Sequence, residues 1–256
     1  MIFSKMVEIE TNKELRVRKL MGFNFLDEPL PEFLSRDGAV IVNTINPHSW
    51  VCAQTDSEFN CALQKTDIII ADGVGISIAS RILQGRPVFR TTGADLWRSL
   101  MNELLKRNGS CFYLGSTPEV LGGIERHIRE NFPSVTYCGY SPPFCNDFTE
   151  AQIDTMVSAI NDFNPDVLFV GITAPRQEKL VNKIHGKVSP KVIASIGAVF
   201  DFVAGSQPRA PKIMQKVGFE WVYRLIKEPR RMWRRNFIST PLFLLAVVKY
   251  RIFGIS

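Results

Sequence analysis

The chain of 256 residues is 45% hydrophobic and 22% charged, a composition of globular proteins that excludes an extended disordered chain. Its net charge of +6 sits at one end: residues 209–256 carry 11 Lys/Arg against Glu220 and Glu228, leaving 20 basic and 23 acidic residues for 1–208. Cys52, Cys61, Cys111, Cys138 and Cys145 form no C-x-x-C pair and mostly have apolar neighbours, while His48, His127 and His185 lack a companion at ligand spacing, so neither a disulfide framework nor a zinc site is expected.

Met1–Leu20 mixes charged and apolar residues without the apolar core and cleavage site of a secretory signal, and a cytosolic location is expected. Buried strands are predicted at 39–42, 68–71, 111–114, 167–170 and 192–196. Between them, helical spacing runs through 76–83, 95–107, 118–131, 149–162 and 176–185. Strands alternating with helices predict an α/β fold, a Rossmann-like and mainly parallel sheet with flanking helices. From Pro208 the texture changes to helical spacing up to Pro229, then Arg230-Arg231-Met232-Trp233-Arg234-Arg235. The expected organisation is a core over 1–207 and a basic, helical, membrane-associating C-terminal appendage over 208–256. The apolar run 241–248 falls below the ~20 residues needed to span a bilayer, and its basic and aromatic flanks suit the interface.

Nearly every predicted strand ends in a polar residue or glycine: Asn43-Thr44, Asp72-Gly73, Gly115-Ser116, Gly171-Ile172-Thr173 and Gly197-Ala198. That edge of an open α/β sheet is where ligands bind, and glycine there lets backbone N–H groups approach a phosphate. Asp72 stands directly before glycines and a helix, so capping and catalysis are equally open to it. Thr44 and Asn46, before Pro47, are as compatible with a turn as with a site. Asp95 reads as a simple N-cap. The stretch Gly171 to Glu178 gathers hydroxyl, guanidinium and amide groups at another strand end. No D-x-D triplet occurs, so a transferase would need protein cations in place of a metal clamp; arginines supply paired hydrogen bonds to phosphate, although from the residues alone a solvated basic helix or a membrane patch is the favoured reading of the tail.

In order, Thr44-Ile45-Asn46-Pro47, Ala71-Asp72-Gly73-Val74-Gly75, Gly93-Ala94-Asp95-Leu96, Phe169 to Glu178, Gly197 to Phe202, Arg209-Ala210-Pro211, and Glu220 to Leu225 with Glu228-Pro229-Arg230-Arg231 resemble the WecG/TagA/CpsF family of bacterial glycosyltransferases. The resemblance spans about 39–243. It implies inverting, metal-independent transfer from a UDP-sugar to a polyprenyl-diphosphate-linked saccharide in cell-surface polysaccharide assembly, with no cofactor. The enzyme would be peripheral on the inner face of the cell membrane, bound to its anionic surface, and family members self-associate into homo-oligomers. By the resemblance Asp72 is the general base, Thr44 and Asn46 line the donor site, Gln177 and Asp201 contact substrate, and Arg224, Arg231 and Arg234 meet the diphosphate. Gly73, Gly115 and Gly171 complete the substrate-binding set. The chain departs from the family at 140–144, and Ile45 and His48 depart from the N-acetylmannosamine enzymes, so N-acetylmannosamine and glucose both stand as donors. The alternative is a nucleotide-binding module without transferase activity; nucleic-acid binding is not expected, since no such motif accompanies the charge.

Overall fold

The computed structural model describes residues 15–36, 38–145, 147–206, 220–227 and 229–254. In chain order these form β1 (Val17–Leu20), β2 (Phe23–Leu26), β3 (Val40–Ile45), α1 (Pro47–Thr55), α2 (Ser57–Gln64), β4 (Ile68–Ala71), α3 (Val74–Gln84), α4 (Gly93–Arg107), β5 (Ser110–Gly115), α5 (Pro118–Asn131), β6 (Thr136–Tyr140), α6 (Glu150–Phe163), β7 (Val167–Gly171), α7 (Arg176–Ile184), β8 (Val192–Ser195) and α8 (Val199–Val203). The C-terminal part adds α9 (Glu220–Lys227), α10 (Pro229–Arg234), a π turn (Arg235–Ser239) and α11 (Thr240–Phe253).

The strands build one eight-stranded sheet in the order β1-β2-β4-β3-β8-β7-β5-β6, parallel except for the β1–β2 hairpin. The α/β expectation therefore holds. Alternation along the strands feeds two layers: Cys111, Tyr113, Val167 and Phe169 face the cluster holding Leu96, Leu100, Leu104 and Ile124, while Phe112, Leu114, Leu168 and Val170 face Ile153, Met156, Ile160 and Leu180. Both faces are covered by helices, which is why these strands read as continuous apolar runs rather than alternating ones.

Three strands escape the sequence reading. β1 and β2 turn at Met21-Gly22, both at positive φ (48° and 89°), without the Asn-Gly or Asp-Gly pair that marks such hairpins. β6 is only partly buried and carries no long apolar run. Helix α2 was also missed; Asp56 ends α1 and caps α2 through Phe59 N–H (3.0 Å). Asp95 is not an N-cap but the third helical residue: Thr92 caps α4, and the two side chains form a reciprocal capping box.

The tail differs from expectation in length. The expected 241–248 segment belongs to a helix over Met232–Phe253, 22 residues, long and apolar enough to cross a membrane by length and composition alone. Pro241 does not end it because it falls in the first turn of α11, directly after the π turn, where its missing N–H and its ring are accommodated. Phe243 and Val247 are buried in the same cluster as Ile45, Trp50, Ile69 and Ile76, with the Trp50 and Phe243 rings edge-on at 5.5 Å, so α11 packs onto α1 and α3. The expected core–appendage boundary at 207/208 lies outside the described residues.

Candidate active site

The parallel register brings separate strand ends together. Thr44 pairs with Ile70 and Ile45 with Ala71, and Asp72 N–H donates to Ile45 O (2.9 Å), which sets Asp72 beside the Thr44–Asn46 segment. On the other side of Ala71, a bridge to Arg90 and the bond from Thr91 N–H to Ala71 O (3.1 Å) bring in the segment before α4. Across the sheet, Ile196 N–H donates to Val170 O (3.0 Å), aligning the ends of β7 and β8.

These ends wall a cavity of about 880 Å³, closed on its far side by Met232, Arg235, Asn236, Thr240, Phe243 and Leu244 of the C-terminal helix. Thr44, Asn46, Asp72, Gly73, Gly171, Gln177 and Asp201 all line it. The C-terminal edge of a doubly wound sheet is the expected place for a nucleotide-sized ligand.

Gly73, at φ 81°, is the N-cap residue of α3 and has no side chain with which to cap it, and Asp72 directly precedes it on the cavity wall. Asn46 does cap α1, its oxygen accepting from Ser49 N–H (3.1 Å), and it lines the cavity as well. Both alternatives raised by the sequence apply to it.

Gly115 does not line the cavity. At φ 126° it packs under the wall, where a Cβ would stand 2.6 Å from Gly171 O. Gly171 reaches the cavity, but its lack of a side chain answers first to packing: a Cβ would come within 2.5 Å of the Phe200 ring. Arg224 and Arg231 belong to α9 and α10 by backbone, and their side chains lie outside the described residues. Arg234 is exposed and does not line the cavity, while its neighbour Arg235 does.

Sequence reasoning missed several residues of the wall. Arg90 stands in a loop whose proximity to Asp72 arises only from the bridge to Ala71. Arg176, within the motif already singled out, donates to Cys145 O and lies 5.5 Å from the Phe144 ring centroid. Glu178 is 2% exposed; Gln177 Nε2 donates to its Oε1 (2.9 Å), while Glu178 Oε2 and Gln177 Oε1 have no hydrogen-bond partner. Burial pushes the Glu178 carboxyl up to about 7. His48 shares 2.8 Å between its Nδ1 and Ser239 Oγ, joining α1 to the π turn, and burial followed by Arg235 and Arg234 holds its imidazole below the ordinary range.

The cavity thus combines a strand-end carboxylate, Asp72, with the cations Arg90, Arg176 and Arg235, a set able to accept a proton at one point and stabilise phosphate charge around it. Among the described residues no three His, Cys, Asp or Glu side chains gather as a metal-binding group.

A family model described as glycosyl transferase WecG/TagA/CpsF family matches residues 21–255. The chain is 29% identical over 226 residues, 88% of its length and 86% of the relative's, to the N-acetylglucosaminyldiphosphoundecaprenol N-acetyl-beta-D-mannosaminyltransferase of Bacillus subtilis (strain 168). It is 28% identical over 246 residues, 92% of each chain, to the protein of the same name from Bacillus spizizenii (strain ATCC 23059 / NRRL B-14472 / W23). The one from Staphylococcus aureus (strain MW2) is 27% identical over 214 residues, covering 82% of this chain and 80% of the relative.

Proposed function

The chain belongs to the WecG/TagA/CpsF glycosyltransferase family, and from that premise we propose that it moves a sugar from a UDP-sugar to a polyprenyl-diphosphate-linked saccharide, with inversion and without a metal. The names of its relatives favour N-acetylmannosamine over glucose as the sugar, and an N-acetylglucosamine-bearing diphosphoundecaprenol as the acceptor. The observation that carries the reading is the placement of Asp72 on the wall of an 880 Å³ cavity that arginines from three separate segments, Arg90, Arg176 and Arg235, also line.

In this reading the acceptor hydroxyl oxygen attacks the anomeric carbon from the face opposite UDP, and its proton passes to the Asp72 carboxylate. The bond from the anomeric carbon to the diphosphate oxygen breaks, and UDP leaves with the electron pair. A general base at this position is worth ~10²–10⁴ in rate. Thr44 and Asn46 hold the donor, Gln177 and Asp201 contact the sugars, and Gly73 lets the backbone approach the ligand. Arg90, Arg176 and Arg235 meet the negative charge that grows on the departing diphosphate, the part a divalent ion plays elsewhere, and Arg224, Arg231 and Arg234 join them only when the tail folds over the site at the membrane.

The tail is read as lying on the inner face of the membrane rather than crossing it, because Phe243 and Val247 are held in the protein core while Leu242, Leu245, Val248 and Ile252 of the same helix are exposed. Docking there would confine turnover to the place where the lipid acceptor is found.

The test is UDP release from a panel of UDP-sugars with a short-chain polyprenyl-diphosphate sugar acceptor and EDTA, comparing wild type with Asp72→Asn. Acceptor-dependent release by wild type, lost at least 100-fold in the variant while donor binding persists, is the expected result. Nucleotide binding without release from any donor would favour the binding-module alternative.

A further inference from the structure

Beside the cavity lies a second cleft of about 820 Å³, lined by Arg16 and Arg18 of the β1 region, Asp27, one side of α3, and the loop 86–90. Its charged lining is five arginines (Arg16, Arg18, Arg81, Arg86 and Arg90) against a single aspartate. Asp27 is already engaged: Arg18 meets its Oδ2 at 2.5 Å, and Phe89 N–H donates to Oδ1 at 2.9 Å. Arg18 is itself a structural group, 8% exposed and bonded also to Ser80 Oγ and Arg86 O. Arg81 and Arg90, by contrast, form no ion pair among the described residues, and Arg86 reaches Asp27 only at 3.9 Å. Three exposed guanidinium groups with so little carboxylate around them leave a positive concavity, the usual footprint of an anionic ligand.

Its position says which anion. Val74, Ile78 and Arg90 line both the cleft and the cavity, so the two are neighbours across one row of residues that begins beside Asp72. Apolar side chains are exposed on the same elements: Ile82 on α3 and Phe89 in the loop are exposed, and α3 packs against α11, which carries exposed Leu245 and Val248. Polar cavity, arginine-lined cleft and exposed aliphatic side chains of α3 and α11 are therefore neighbours. A prenyl-diphosphate-linked sugar has three parts of the same kinds.

We infer that Arg81 and Arg86 form a binding site for the diphosphate of a prenyl-linked acceptor, holding it while the sugar reaches Asp72 and the chain lies along α3 and α11. The inference rests on the proposed transferase reading for its acceptor, but not for the anion site itself. The Arg81 and Arg86 side chains are exposed, and the contact that Arg86 makes to Arg18 is through its backbone oxygen, so replacing both side chains leaves the Arg18–Asp27 pair intact.

The experiment compares wild type with Arg81→Ala/Arg86→Ala in detergent micelles. With a short-chain prenyl-diphosphate-linked amino sugar, the variant is expected to show a KM about tenfold or more above wild type, with kcat and donor KM within about twofold. With the same sugar on a neutral alkyl chain, the two proteins are expected to have equal KM. An equal loss with both acceptors, or no loss with either, would overturn the assignment. Calorimetric binding of farnesyl diphosphate reads the site without turnover: binding about tenfold weaker in the variant supports it, and equal binding overturns it. If that difference appears while no donor gives transfer, the transferase reading fails and the anion site stands. Loss of phosphatidylglycerol-vesicle binding with unchanged micellar KM would make the cleft a lipid head-group patch and overturn the acceptor assignment.

Discussion

Replacing Glu178 by glutamine should change how stability depends on pH, in a direction fixed by its burial. The carboxyl is 2% exposed, its Oε2 lacks a hydrogen-bond partner, and no cation pairs with it among the described residues, so the ionised form is disfavoured in the fold and the group titrates near 7. An acid whose folded pKa lies above its unfolded value of ~4.3 adds stability that is complete below the unfolded value and is lost as pH rises through the folded one. The difference corresponds to about 4 kcal/mol at full loss, of which about 2.5 kcal/mol falls between pH 5 and pH 8. Glu178→Gln keeps an oxygen able to accept from Gln177 and removes the titration. Urea unfolding of both proteins at pH 5 and pH 8 should therefore show the variant gaining about 2.5 kcal/mol relative to wild type at the higher pH. A gain equal at both pH values would refute burial as the dominant influence on this carboxyl. Since Glu178 lines the cavity, the same variant should also bind donor with a flatter pH profile than wild type.

Gly171→Ala should cost ~1–3 kcal/mol, because a Cβ would stand 2.5 Å from the Phe200 ring; adding Phe200→Leu should restore much of that in thermal unfolding, which a purely phosphate-approaching glycine would not do. Phe243→Ala should remove about 3 kcal/mol of packing from α11. Faster tryptic cleavage at Lys249 and Arg251, with the body otherwise intact, is the readout, and unchanged cleavage would contradict the docking of this helix. Burial holds the His48 imidazole below its ordinary range, so it contributes stability present above its unfolded pKa of ~6.5 and lost as pH falls through the folded one. Amide exchange in the 235–240 segment, corrected for intrinsic rates, should accelerate between pH 7 and pH 5.5, and His48→Gln should remove that pH dependence.

The missed strands show where a sequence carries too little local signal. β5, β7 and β8 lie inside a parallel sheet covered on both faces, so burial writes itself into unbroken apolar runs such as Val167–Val170. β1 and β6 lie at the two edges of the sheet, where one neighbour suffices and polar residues are tolerated, so Val17–Leu20 and Thr136–Tyr140 do not stand out. The site divides along the same line. Thr44, Asp72, Gly171 and Gln177 were legible because strand ends are marked by polar residues and glycine, whereas Arg90 becomes a neighbour of Asp72 only through a bridge formed after the chain has passed through all of α3.

By itself the sequence determined the layer architecture, the positions of β3, β4, β5, β7 and β8 and the edge of the sheet that carries chemistry, since each depends on the pattern of side chains along a local stretch. Why Gly171 has no side chain and which arginine of the tail enters the cavity wall were decided by tertiary structure. Each is a relation between atoms distant in the chain: the Phe200 ring filling the space at Gly171, and Arg235 rather than Arg234 lining the cavity with the strand ends. Packing sets such relations, and no local pattern encodes them.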